Sequence, residues 1–138
     1  MKVKLYMKDY QIWIDRAKSA YKFAIVPIDE DMFLADACFQ AQQAAEKAIK
    51  ALLIFYGIEP VYTHNIKKLF EELRNFTTID EFIEDAIDLS VYAVTTRYSG
   101  GKDDISDFEY KQALEIAKKC IDWVENKISE EKQTGKYN

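Results

Sequence analysis

Residues 38–57, CFQAQQAAEKAIKALLIFYG, read as one long helix with apolar residues on two sides of a polar seam. Extended back to the acidic start at Asp29, Glu30 and Asp31, the helix is expected over about 30–56. Carboxylates there suit the positive end of its dipole. Leu34, Cys38, Ala41, Ala45, Ala48, Leu52 and Tyr56 form one stripe, and Ala37, Ala44, Ala51 and Phe55 form a second. Two apolar faces imply a central helix with neighbours on both sides, and the alanines let those neighbours come close. Gly57 supplies the left-handed stop.

Working outward, four more amphipathic segments follow from residues spaced three and four apart. The first, about 8–25, places Ile12, Trp13, Ala17, Ala20, Tyr21 and Ala24 on one side, and Pro27 ends it. A short helix at about 64–75 is expected to be capped by Thr63 and to bury Ile66, Leu69, Phe70 and Leu73. A fourth, about 78–96, is expected to bury Ile79, Phe82, Ile83, Ala86, Ile87 and Ala93. Its end is rich in β-branched residues, which packing rather than propensity must hold helical. Ser99-Gly100-Gly101 is the clearest break in the chain. The last helix, about 106–129, opens with the capping box Ser106-Asp107-Phe108-Glu109 and continues with Leu114, Ala117, Ile121, Val124 and Ile128.

The fold expected is all-α, an up-down antiparallel bundle of about five helices with no sheet. It forms one domain over 1–130, with a frayed polar tail at 131–138. At 138 residues and 49% hydrophobic, the chain can bury a core without metal or disulfide support. Four glycines and two prolines favour long helices over a turn-rich fold. Cys38 and Cys120 lack metal or redox spacing and are expected as buried free thiols. No secretory leader or membrane span is read from the sequence, so a cytoplasmic location is expected.

A net charge of −5 argues against a general nucleic-acid coat, although the charges are uneven. Lysines and Arg16 dominate residues 1–22, and carboxylates dominate 71–88. These patches read as solvated faces, or as surfaces that steer a partner or a second copy.

The residues with most chemical promise lie in the breaks. His64 is the only histidine of the chain. If the helices alternate in direction, the loops after the second and fourth helices share one end of the bundle. His64, Arg97 and Tyr98 would then meet there, with Lys102 adding a cation. Imidazole and guanidinium suit a phosphate ligand, and the start of the short helix adds free N–H groups. Tyr62, Tyr98 or Tyr56 could stack on a base. The plainer alternatives are that His64 caps the short helix or bonds a carbonyl, and that Arg97 pairs with Asp103 or Asp104. Glu46 and Lys47 read as a structural or intersubunit ion pair rather than an acid–base couple. Gln40, Gln42 and Gln43 beside them could satisfy polar groups across a dimer interface. No zinc spacing, phosphate-cradling glycine turn or nucleophile motif is present. The acidic residues 80–88 read as a wet face rather than a metal site.

AQQAAEKAIKALL, then Gly57, then Thr63-His64 before a leucine-containing helix, and Arg97-Tyr98 before the last helix, together resemble the HEPN domain family over roughly residues 5–128. The resemblance implies a helical bundle. HEPN ribonucleases carry an arginine and then a histidine with four to six residues between them, which together perform metal-independent RNA cleavage. Here residues 102–104 are Lys, Asp and Asp, so that pair is absent. The chain resembles instead the branch with Thr-His and Arg-Tyr, except that Ser99 replaces the usual proline after the tyrosine. For that branch, nucleotide binding and a neighbouring minimal nucleotidyltransferase are implied. The expected function is thus a non-catalytic, homodimeric HEPN domain that binds a nucleotide or phosphorylated ligand at His64, Arg97, Tyr98 and Lys102. It would work with a nucleotidyltransferase in a toxin–antitoxin-like pair, with no cofactor or metal. The alternatives are a metal-independent ribonuclease using His64 and Arg97, and a purely structural interaction module.

Overall fold

The computed structural model describes residues 9–94, 98, 99, 102, 103 and 105–135. Among these residues five α-helices, a 3₁₀ helix and a minimal hairpin follow in the order α1 Tyr10–Ala24, α2 Leu34–Phe55, α3 Ile66–Leu73, the 3₁₀ helix Glu81–Ser90, α4 Val91–Val94, β1 Tyr98–Ser99, β2 Lys102–Asp103 and α5 Asp107–Gln133. The architecture is all-α, as the periodicity predicts.

α2 is central. Ala41, Ala44, Ala45, Ala48 and Ala51 are fully buried along it. α1 covers one side through Ala17 and Ala24, and α5 covers the other through Ala117, Cys120 and Val124. With a methyl group as the side chain at so many of these contacts, nothing bulky holds the helices apart. Gly57, at φ +87°, ends α2 in a Schellman turn, with Ile58 N donating to Leu53 O at 2.9 Å and Gly57 N to Ile54 O at 2.9 Å. The cysteines are both buried free thiols, and burial pushes Cys120 up to about 12.

Several local expectations need correction. α2 starts at Leu34 rather than near residue 30, because the Asp29 carboxylate accepts from Asp31 N at 2.9 Å and closes a turn of its own. Asn65, not Thr63, caps α3: its side chain accepts from Lys67 N at 3.0 Å, while Thr63 Oγ1 accepts from Asn65 N one step earlier. As far as Val94, the α-helix expected over 78–96 is a 3₁₀ helix followed by a single α turn, and its last two residues lie outside the described ones. Its buried residues are Ile83, Ala86 and Leu89, spaced by three, so a helix of three residues per turn puts them in line. Phe82, expected in the core, is 52% exposed. Around the glycines, Tyr98–Ser99 pairs antiparallel with Lys102–Asp103, two residues a side, where only an irregular break is expected. α5 runs to Gln133 and is closed by Thr134 Oγ1 donating to Glu131 O at 2.7 Å, so the tail expected to fray from 131 begins as ordered helix.

The directions of the helices follow from contacts at their ends. The ring of Tyr10, at the start of α1, meets Phe55, at the end of α2, 5.3 Å apart. Lys132, at the end of α5, lies 5.3 Å over the same Tyr10 ring. At the other end of the bundle, the Tyr110 hydroxyl donates to Ala24 O at 3.1 Å. α1 is therefore antiparallel to both α2 and α5, and α2 and α5 run parallel. α3, the 3₁₀ helix and α4 together take the place of one bundle helix. Strict alternation of five helices fails for that reason, and α5 starts at the end opposite Gly57.

Candidate functional site

Gln42, Glu46 and Lys50 recur every four residues, so they line up on one face of α2. All three are buried. A carboxylate taken out of water must be paired or hydrogen-bonded, and Glu46 is both. Its Oε1 accepts from Gln42 Nε2 at 2.9 Å and lies 2.9 Å from His64 Nδ1; its Oε2 meets Lys50 Nζ at 2.8 Å. Burial by itself would raise the Glu46 pKa. The bonds from Lys50, Gln42 and His64 together outweigh it and hold the carboxyl below its ordinary range. Gln42 Nε2 also reaches His64 O at 3.3 Å, which ties the backbone before α3 to α2.

Glu46 lies well inside α2, roughly 13 Å from its last residue at 1.5 Å per residue. The chain leaving Gly57 thus turns back along α2, and His64 stands beside the middle of that helix, not at the end of the bundle where alternation would put it. The same return brings Ile66 N to Ser90 Oγ at 3.0 Å. Ser90 leads into α4, whose Tyr92 hydroxyl bonds Glu109 in the first turn of α5.

The expected ligand residues divide accordingly. His64 is described, with its side chain 50% exposed while Glu46 beneath it is 4% exposed. Tyr98 and Lys102 are placed by their backbones in facing strands of the hairpin. Arg97 lies outside the described residues. Of the three tyrosines offered as stacking partners, Tyr56 is buried and stacks on Phe76, which removes it. Tyr62 is 99% exposed, its ring 6.4 Å from that of His64.

Glu46 does not pair with Lys47, as the sequence reading suggests, but with Lys50. Lys47 Nζ instead donates to Gln43 Oε1 at 2.8 Å. The i,i+4 spacing of Gln42, Glu46 and Lys50 is the signal in the sequence for this arrangement. What periodicity cannot supply is His64, from a separate segment.

A carboxylate on Nδ1 fixes the neutral ring with its proton on that nitrogen, leaving Nε2 as the acceptor. When the ring is charged, Nε2 becomes a donor suited to a phosphate oxygen. Among the described residues no group of three or more His, Cys, Asp or Glu could hold a metal ion, and no helix is long and apolar enough to cross a membrane.

Comparison with known proteins agrees with this architecture. A family model, the HEPN domain, matches residues 10–127. The crystal structure of TT1696 from Thermus thermophilus is similar, with a TM-score of 0.69 and 29% sequence identity over 87% of this chain and 98% of that one. Among curated proteins none matches.

Proposed function

The chain belongs to the HEPN domain family, and on that premise we propose that it is a non-catalytic domain binding a nucleotide or another phosphorylated ligand, with His64 as the anchoring side chain. The observation that carries this reading is the half-exposed imidazole held at Nδ1 by a buried, charge-balanced carboxylate. A group so oriented loses little freedom when it takes up a ligand. Arg97, Tyr98 and Lys102 complete the proposed ligand set, and Tyr62 offers a stacking face beside His64. The hydrogen bond from Ile66 to Ser90 supports the grouping, since it ties the segment after His64 to the one that leads towards Arg97. In this reading the protein is a cytoplasmic homodimer and partners a minimal nucleotidyltransferase in a toxin–antitoxin-like pair.

The Glu46–His64 pair also favours a second reading. A carboxylate-oriented imidazole is equipped for proton transfer, as a metal-independent ribonuclease using His64 and Arg97 would require. One pair of variants separates the two. With ATP as the calorimetric probe, Arg97→Ala and His64→Ala are each expected to lose about 1.5–3 kcal/mol of binding, the worth of a hydrogen bond to a charged group. Purified protein is expected to leave RNA intact. Cleavage in the presence of a chelator that disappears in His64→Ala would establish the ribonuclease instead.

A further inference from the structure

Between α1 and α2 lies a groove of about 260 Å³, lined by Arg16, Ser19, Ala20, Phe23, Gln40 and Lys47. Two cations stand in it from two helices. Among the described residues neither forms an ion pair: Lys18, two residues along α1 from Arg16, pairs with Glu125, and Glu46 is already engaged by Lys50 and His64. The Arg16 guanidinium lies 4.9 Å over the Trp13 ring, and Lys47 gives one hydrogen bond to a neutral amide. An ammonium has three donors and a guanidinium five, so most of this donor capacity is left for a ligand. Burial first, and then repulsion from Arg16 and Lys50, hold Lys47 below its ordinary range despite the attraction of Glu46. An arriving anion would relieve that repulsion.

The other end of the groove is apolar, with Phe23 63% exposed and Ala20 buried. Ser19 and Gln40 add neutral hydrogen-bonding groups in the lining. We propose that this groove is a second anion site, separate from the one at His64, that takes the phosphate end of another nucleotide molecule between Arg16 and Lys47, with its base against Phe23. The anion site stands on the groove itself, and the nucleotide class rests on the function proposed above. A continuous run of side-chain hydrogen bonds links the groove to His64. Lys47 bonds Gln43 at 2.8 Å, Gln43 bonds Gln42 at 2.7 Å, Gln42 bonds Glu46 at 2.9 Å, and Glu46 holds His64 at 2.9 Å.

The test is a calorimetric titration of the full chain with ATP and with inorganic pyrophosphate. Lys47→Met keeps the aliphatic stem and removes the charge; Arg16→Gln does the same for the guanidinium. Each is expected to weaken both probes at least tenfold. Phe23→Ala is expected to weaken ATP alone, and Lys47→Arg to retain both. Should Lys47→Met lose its fold by circular dichroism, Arg16→Gln and the Lys47→Arg rescue carry the test. ATP binding that is unchanged in both charge variants overturns the inference, and its loss in Arg97→Ala would then leave the proposed function standing alone. Pyrophosphate binding that depends on Lys47, with no ATP binding, keeps the anion site and removes the nucleotide. No binding of either probe overturns both. A change in molecular mass on Lys47→Met, read by light scattering, would mark the groove as an interface between copies and overturn it as well.

Discussion

Glu46 is the residue on which the interior polar chemistry turns. Its carboxylate collects Lys50, Gln42 and His64; without it Lys50 loses its ion pair and the His64 ring its bond at Nδ1, while Gln42 keeps only its bonds with Gln43 and His64 O. Removing one member of a buried pair leaves the other charge stranded, so Glu46→Ala is expected to cost about 3 kcal/mol of unfolding free energy in urea titrations. The pH dependence follows from the direction of its shift. Because the folded carboxyl ionises below its ordinary value of 4.5, the pair stabilises fully above that value. This contribution is lost as pH falls through the folded value, where the carboxylate takes up a proton. Wild type is therefore expected to lose stability on acidification below about pH 4.5, and Glu46→Gln to lose less over the same interval. Equal slopes for the two proteins would assign the acid sensitivity to other carboxylates.

The elements differ in how far local pattern governs them. α2 and α5 are long, and their caps are local: the Schellman turn at Gly57, and Ser106 Oγ accepting from Glu109 N at 3.0 Å. α3 has 8 residues, too few to stand as an isolated helix, and depends on what it packs against. Ser90 is part of that support, since its hydroxyl accepts from the buried Ile66 N–H in the first turn of α3. Ser90→Ala strands that donor and is expected to cost about 1–2 kcal/mol, measured by the denaturation midpoint. It is also expected to speed amide exchange across residues 66–69. Exchange that is unchanged there would mean that Ser90 does not hold the start of the helix.

At the scale of the whole molecule, α1 and α5 cover the two apolar faces of α2 within one chain, so those faces offer nothing to a second copy. The homodimer proposed for this protein must use other surface. Phe82 on the 3₁₀ helix is 52% exposed and Phe108 at the start of α5 is 70% exposed. Burying such rings on association is worth about 1.5–3 kcal/mol each. Light scattering at tens of micromolar is expected to return twice the chain mass, and Phe82→Ser with Phe108→Ser to return one. A single chain mass for the wild type would end the proposal of a dimer.

Most of the fold is legible in the chain because its information is local: apolar spacing, a glycine stop and a serine cap each act within a few residues. The buried stripe of α3 and the central place of α2 follow from that spacing. The 3₁₀ segment reads as an α-helix because Ile79, Phe82, Ile83, Ala86 and Ile87 recur three and four apart, and only packing decides that the line buried is Ile83, Ala86 and Leu89, three apart. The site is half legible. His64 stands out as the only imidazole, and the Gln42-Glu46-Lys50 ladder is visible in its spacing, but nothing in either segment says that they meet. Their meeting depends on the chain folding back along α2 after Gly57, and on α3, the 3₁₀ helix and α4 sharing the place of one bundle helix. Both are outcomes of burying apolar surface across the entire bundle, a non-directional force that no local pattern encodes.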